Sequence, residues 1–121
     1  MNVDYSRQFK SYLKNFPVQD QLKIRQFVEH VEKYGFQGLQ GRNKSSDTVP
    51  KDDPKWVEKV SYAQKYRLWH YHIGIPAYVL SAQGDFVSEY ILHYMRLDDA
   101  IKLVSLSYHP PFTLPQESEI L

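Results

Sequence analysis

Cysteine is absent from all 121 residues. That absence excludes disulfide scaffolds, thiolate metal sites and cysteine nucleophiles outright. No apolar run approaches the length a bilayer-spanning helix needs. The opening stretch Met1-Asn2-Val3-Asp4-Tyr5-Ser6-Arg7 has no apolar region of the kind a secretory leader carries. The expectation is therefore a cytoplasmic protein with no membrane contact. Internal repeats are absent too, and a chain of this length predicts one domain over 1–121 with its own core.

Strong charge of either sign is also missing, since the formal net charge is +1. The distribution is uneven. Residues 40–75 carry seven basic and four acidic side chains, and residues 98–121 carry one basic and four acidic. A basic middle of this size suits phosphate contact without demanding it.

What is present is pattern. Val3 and Tyr5 alternate with Asn2 and Asp4, which predicts a short opening strand. Ser6 is a helix N-cap, and Phe9, Tyr12, Leu13 and Phe16 form an apolar stripe at helical spacing. Pro17 separates that helix from a second one with Ile24, Phe27, Val28 and Val31 on one side, closed by Gly35. From Phe36 to Lys65 the reading is a long basic loop carrying Arg42 and Lys44, followed by a short helix from Pro54 to about Ala63 that presents Trp56 and Val60. Three strands follow, over 66–74, 88–96 and 101–108, with Asp98-Asp99 as a turn and 75–87 as a long hairpin loop. The tail over 114–121 reads as frayed. The fold class is α+β: a small antiparallel sheet, in the order β-α-α-β-β-β, with the helical hairpin packed on one face and the other face free.

The free face is where chemistry is expected. Alternation puts His70 and His72 on one side of their strand and Trp69, Tyr71 and Ile73 on the other. Two imidazoles in an apolar core would be costly, so the histidines belong on the face away from the helices. His93 and His109 lie in or at the end of the neighbouring strands, while His30 on the second helix reads as a surface residue. Imidazoles that titrate near neutrality suit RNA cleavage, in which a base takes the 2′-hydroxyl proton and an acid protonates the leaving 5′-oxygen. Cations stabilise the charge that develops on phosphorus, tyrosines stack on unpaired bases, and no metal is needed.

The stretch Leu68-Trp69-His70-Tyr71-His72-Ile73-Gly74, the strand Tyr90-Ile91-Leu92-His93-Tyr94 and the ending Ser107-Tyr108-His109 resemble the RelE/ParE superfamily. The resemblance covers roughly residues 2–113 and is nearest to the YafO-like branch, which also reads Leu-Trp-His at this strand. It implies the toxin of a type II toxin–antitoxin pair, acting as a metal-independent, ribosome-dependent mRNA endoribonuclease that inhibits translation, with a cognate antitoxin as partner. It also implies His109 as the leading acid–base residue, with His70 or His72 as its partner. Lys65, Arg67, Arg42 and Lys44 would touch phosphates, with His93, Tyr94 and Tyr108 also on the RNA. Two departures stand out: histidines where relatives often carry arginine or lysine, and a loop over 36–65 that is longer than usual.

Other classes fit the same residues. His70 and His72 with His93 or His109 have the spacing for a zinc or iron site. A non-enzymatic toxin of the same fold would block a partner such as gyrase by binding. A plain binding module or decayed toxin would use the histidines for nothing.

Overall fold

The computed structural model describes all residues, 1–121, as one α+β unit. β1 (Asn2–Tyr5) leads into α1 (Arg7–Leu13), whose N-cap Ser6 accepts from the Phe9 amide. α2 (Val18–Tyr34) ends at Gly35, where φ is +67° and a side chain would be strained. β2 (Asn43–Ser45) is followed by α3 (Trp56–Lys65), β3 (Leu68–His72) and a small ribbon of β4 (Val79–Leu80) and β5 (Phe86–Val87). β6 (Tyr90–Arg96), β7 (Ala100–Tyr108) and α4 (Glu117–Ile120) complete the chain.

The main sheet has five strands in the order β1-β7-β6-β3-β2. It is mixed, not antiparallel: β1 runs parallel to β7, with Val3 opposite Ile101. The expectation of a wholly antiparallel sheet fails because the opening strand returns to the edge beside the last one. Three further strands come from segments read as loops. Asn43-Lys44-Ser45 pairs with β3, and the 75–87 segment folds back on itself as β4–β5. Strands of two or three residues are too short to show an alternation for a sequence reading to find.

One face of the sheet is the main core. Phe9, Ile24, Phe27 and Val31 of the hairpin pack on Tyr71, Ile73, Leu92, Tyr94, Ile101 and Leu103. The other face is not free, as the sequence suggested. Ala63 of α3 and Ile120 of α4 close over Leu68 and Val104 in a second, smaller cluster. Val104 reaches that face through a bulge, since His93 pairs with Ser105 and Tyr94 with Leu103, leaving one extra residue between. The tail is not frayed either. Gln116 and Glu119 form a capping box, Ile120 is buried, and the Tyr62 hydroxyl donates to the Pro115 carbonyl at 2.7 Å.

Candidate functional site

β3 is the strand that builds the site. Its alternation sends Trp69 and Tyr71 toward the hairpin, and His70 and His72 the other way, as the sequence predicts. Pairing with β6 sets His93 directly opposite His70, which settles the face of His93. His109, just past β7, comes in beside His72. Ring centroids lie 6.4 Å apart for His70 and His72, 6.5 Å for His70 and His93, and 5.9 Å for His72 and His109. Four histidines from three strands thus make one cluster.

The cluster is enclosed, which corrects the expectation of exposed imidazoles. His70 and His72 are 9% and 4% exposed, and His93 is 0% exposed. Phe112 supplies much of the cover, its ring 4.7 Å from His70, 5.7 Å from His93 and 6.0 Å from His109. Three of the imidazoles are held from behind. His70 Nδ1 lies 2.9 Å from the Ser46 hydroxyl, and His93 Nε2 lies 2.8 Å from the Ser107 hydroxyl. His72 Nδ1 sits 3.0 Å from both the amide nitrogen and the carbonyl oxygen of Ser88. It accepts from the amide when that nitrogen is bare, and donates to the carbonyl when it carries a proton. Two buried nitrogens have no partner: Nδ1 of His93 and Nδ1 of His109.

Burial is the main electrostatic fact. It pushes His70 down to about 3, with His93, His72, His109 and Lys44 adding to the drop. His93 falls to about 4, from burial first and then His109. His72 and His109 are lowered as well, each mainly by burial and in part by the nearby Arg42. At neutral pH the imidazoles are therefore uncharged in the free protein. They are not the near-neutral titrating pair that the residue types alone suggest.

Positive charge comes from the edge strand. Lys44 pairs directly with His70 across β2–β3 and is exposed, and Arg42 lies two residues earlier on the same side. Arg42 is committed elsewhere in part: its guanidinium grips Asp85 with contacts of 2.6 and 2.8 Å. Lys65 and Arg67 stand at the turn from α3 into β3. There Lys65 lies over the Tyr66 ring at 5.1 Å, and Arg67 pairs with Asp98 at 3.1 Å. Tyr94 and Tyr108 do not join the cluster. Tyr94 is buried on the hairpin face with its hydroxyl donating to Asn43 at 2.7 Å, and Tyr108 packs edge-on against Tyr90 there. An aromatic beside a histidine in sequence points to the opposite face of a strand: Tyr94 is buried there and cannot touch RNA, while Tyr108 lies exposed across the sheet from the imidazoles. His30 remains on α2, bonded to the Gln37 carbonyl and tilted against Tyr34.

Sequence reasoning missed Phe112, Ser46, Ser88 and Ser107. Phe112 had a weak signal, an apolar residue just after His109-Pro110-Pro111. The serines had none, because only tertiary pairing brings them under the rings. No three histidine or carboxylate side chains are arranged to hold a metal ion, so the His-ligated metal reading lacks a ready ligand set.

No family model, curated protein or solved structure matches the chain. The site's chemistry thus rests on its own geometry.

Proposed function

We propose that the protein is a RelE/ParE-type toxin that cuts mRNA on the ribosome without a metal ion, held in check by a cognate antitoxin. The observation that carries this reading is the convergence of His70, His72, His93 and His109 beside Lys44 of β2 and the adjacent Arg42. The element order supports it: an opening strand, a helical hairpin, and a sheet whose last strand lies next to the first.

In this reading His109, the least buried of the four, takes the 2′-hydroxyl proton. The 2′-oxygen attacks phosphorus, and the 5′-oxygen leaves with a proton from His70 or His72, giving a 2′,3′-cyclic phosphate. Lys44 and Arg42 stabilise the charge on the phosphoryl oxygens. The donor imidazole must first gain its proton, and an incoming phosphodiester favours that by supplying negative charge in a poorly solvated site.

The test is expression without antitoxin, with mRNA ends mapped in vivo and cleavage measured on ribosomes in vitro. Wild type is expected to arrest growth, and to cut mRNA on ribosomes after the protein itself has been stripped with chelator and the chelator removed. His109→Ala and His70→Ala are each expected to slow cleavage by about 100-fold or more. Cleavage by both variants at the wild-type rate sinks the reading.

A second reading has one observation in its favour, the full enclosure of His93 and the Phe112 cover. It makes the protein a non-enzymatic toxin that blocks a partner such as gyrase, with the histidines as polar core. Intact mRNA alongside arrested replication selects it.

A further inference from the structure

Phe112 is an odd neighbour for the groups it covers. An apolar ring cannot satisfy the bare Nδ1 atoms of His93 and His109, yet it is the ring packed against both histidines. Buried polar atoms left without partners are uncommon and point to a missing partner. A flat ring that packed among the same imidazoles, but carried donors and acceptors on its edge, would cure the defect. A nucleobase is such a ring.

The ring also has somewhere to go. Phe112 lines a groove of about 730 Å³ together with Val49, Pro50, Tyr62, Leu114 and Pro115. The tail is pinned beyond it by the bond from Tyr62 to the Pro115 carbonyl and by Ile120 against Ala63, Leu68 and Val104. Residues 110–114 therefore form a strap between His109 and a fixed anchor, with Phe112 at its middle. The groove itself carries Asp53, Glu58 and Glu117 against Lys59, a balance that disfavours a phosphate backbone there. The polynucleotide has to approach from the Lys44 side and only its base takes the seat.

We propose that Phe112 is a gate seated in the place of an unpaired nucleobase, which displaces it into the groove to reach the histidines. The proposal rests on the RNA-cleaving reading of the site.

Diethyl pyrocarbonate, which acylates uncharged imidazole, tests the gate residue by residue when read by peptide mass spectrometry. His30 serves as the internal reference. In wild type His70 and His93, the two buried imidazoles that Phe112 packs against, should react slowly. Phe112→Ala should raise their rates relative to His30 by about 10-fold or more, as expected when a local barrier of this kind is removed. Uridine or adenosine 3′-monophosphate should slow the variant again, and inorganic phosphate at the same concentration should not. Tyr62→Phe, which loosens the anchor and leaves the ring, should give a smaller rise and decides the matter if Phe112→Ala proves unfolded by circular dichroism. Unchanged rates in a folded Phe112→Ala overturn the gate. Unchanged rates in Tyr62→Phe do so where that variant decides. Equal protection by phosphate overturns the base seat. RNA cleavage measured on the same proteins separates the two claims: its absence in wild type, with nucleotide protection intact, counts against the nuclease alone.

Discussion

On the hairpin face Phe27 stacks on Tyr71 at 4.9 Å and the polar tips of Tyr71 and Tyr94 reach Tyr78 and Asn43. On the opposite face of the same strands, four imidazoles crowd together and two of their nitrogens find no partner. The strands, pairing and burial are shared, so the contrast lies in the side chains alone. The first face gains free energy from packed rings and satisfied hydroxyls. The second holds desolvated imidazoles at a cost, which folding alone does not require. A sheet that keeps such a cost in one place points to a use for it there.

The largest effect expected from this contrast is on the hairpin face. Phe27→Ala removes a buried ring that contacts both Tyr71 and Tyr94. Denaturant unfolding should show a loss of about 3–5 kcal/mol. A loss below about 1 kcal/mol would mean that this face is not the main store of stability, and the contrast would break.

A smaller effect separates the faces by pH. An unfolded histidine binds its proton with a pKa of about 6.5. The folded values for His70 and His93 are lower, about 3 and about 4. As pH falls below about 6.5, the unfolded chain takes up protons that the native state refuses, so stability drops. It is complete above that pH and declines toward the folded values. Each such histidine adds up to about 1.4 kcal/mol per pH unit to the slope. Unfolding free energies at pH 7.5, 6 and 5 should therefore fall ever more steeply. A flat profile over that range would show that the imidazoles gain no proton affinity on unfolding.

Much of this division was legible in the residues. Alternation through Leu68-Trp69-His70-Tyr71-His72 separated the faces, and Ser6 and Gly35 marked helix ends because capping and positive φ are local chemistry. The parallel seat of β1 was not legible, since nothing in Asn2–Tyr5 says which strand it meets. Nor was the cover over the histidines. Ala63, the α3 residue that closes the second cluster, is too small to stand out in a stripe, and Trp56 and Val60 drew attention instead. The side taken by His93 and Tyr94 depended on register, and a bulge at Val104 shifts that register where no pattern reveals it.

The smallest stability effect is the most telling. His93→Leu replaces the most enclosed imidazole of the cluster with an apolar side chain of similar bulk. The variant loses one bond to Ser107, whose hydroxyl is only half-buried and can turn to water. It also loses an unpartnered Nδ1 and the desolvation of a polar ring. These terms oppose one another, and the net change should stay within about 1 kcal/mol of zero. The slope below pH 6.5 should flatten at the same time, because one suppressed titration has gone. RNA cleavage should fall, since a leucine offers no polar edge to a base seated in the place of Phe112. Stability kept and cleavage lost would place the purpose of this face in chemistry. A loss of about 3 kcal/mol or more would instead make His93 part of the fold's own support, with the two faces differing in composition but not in role.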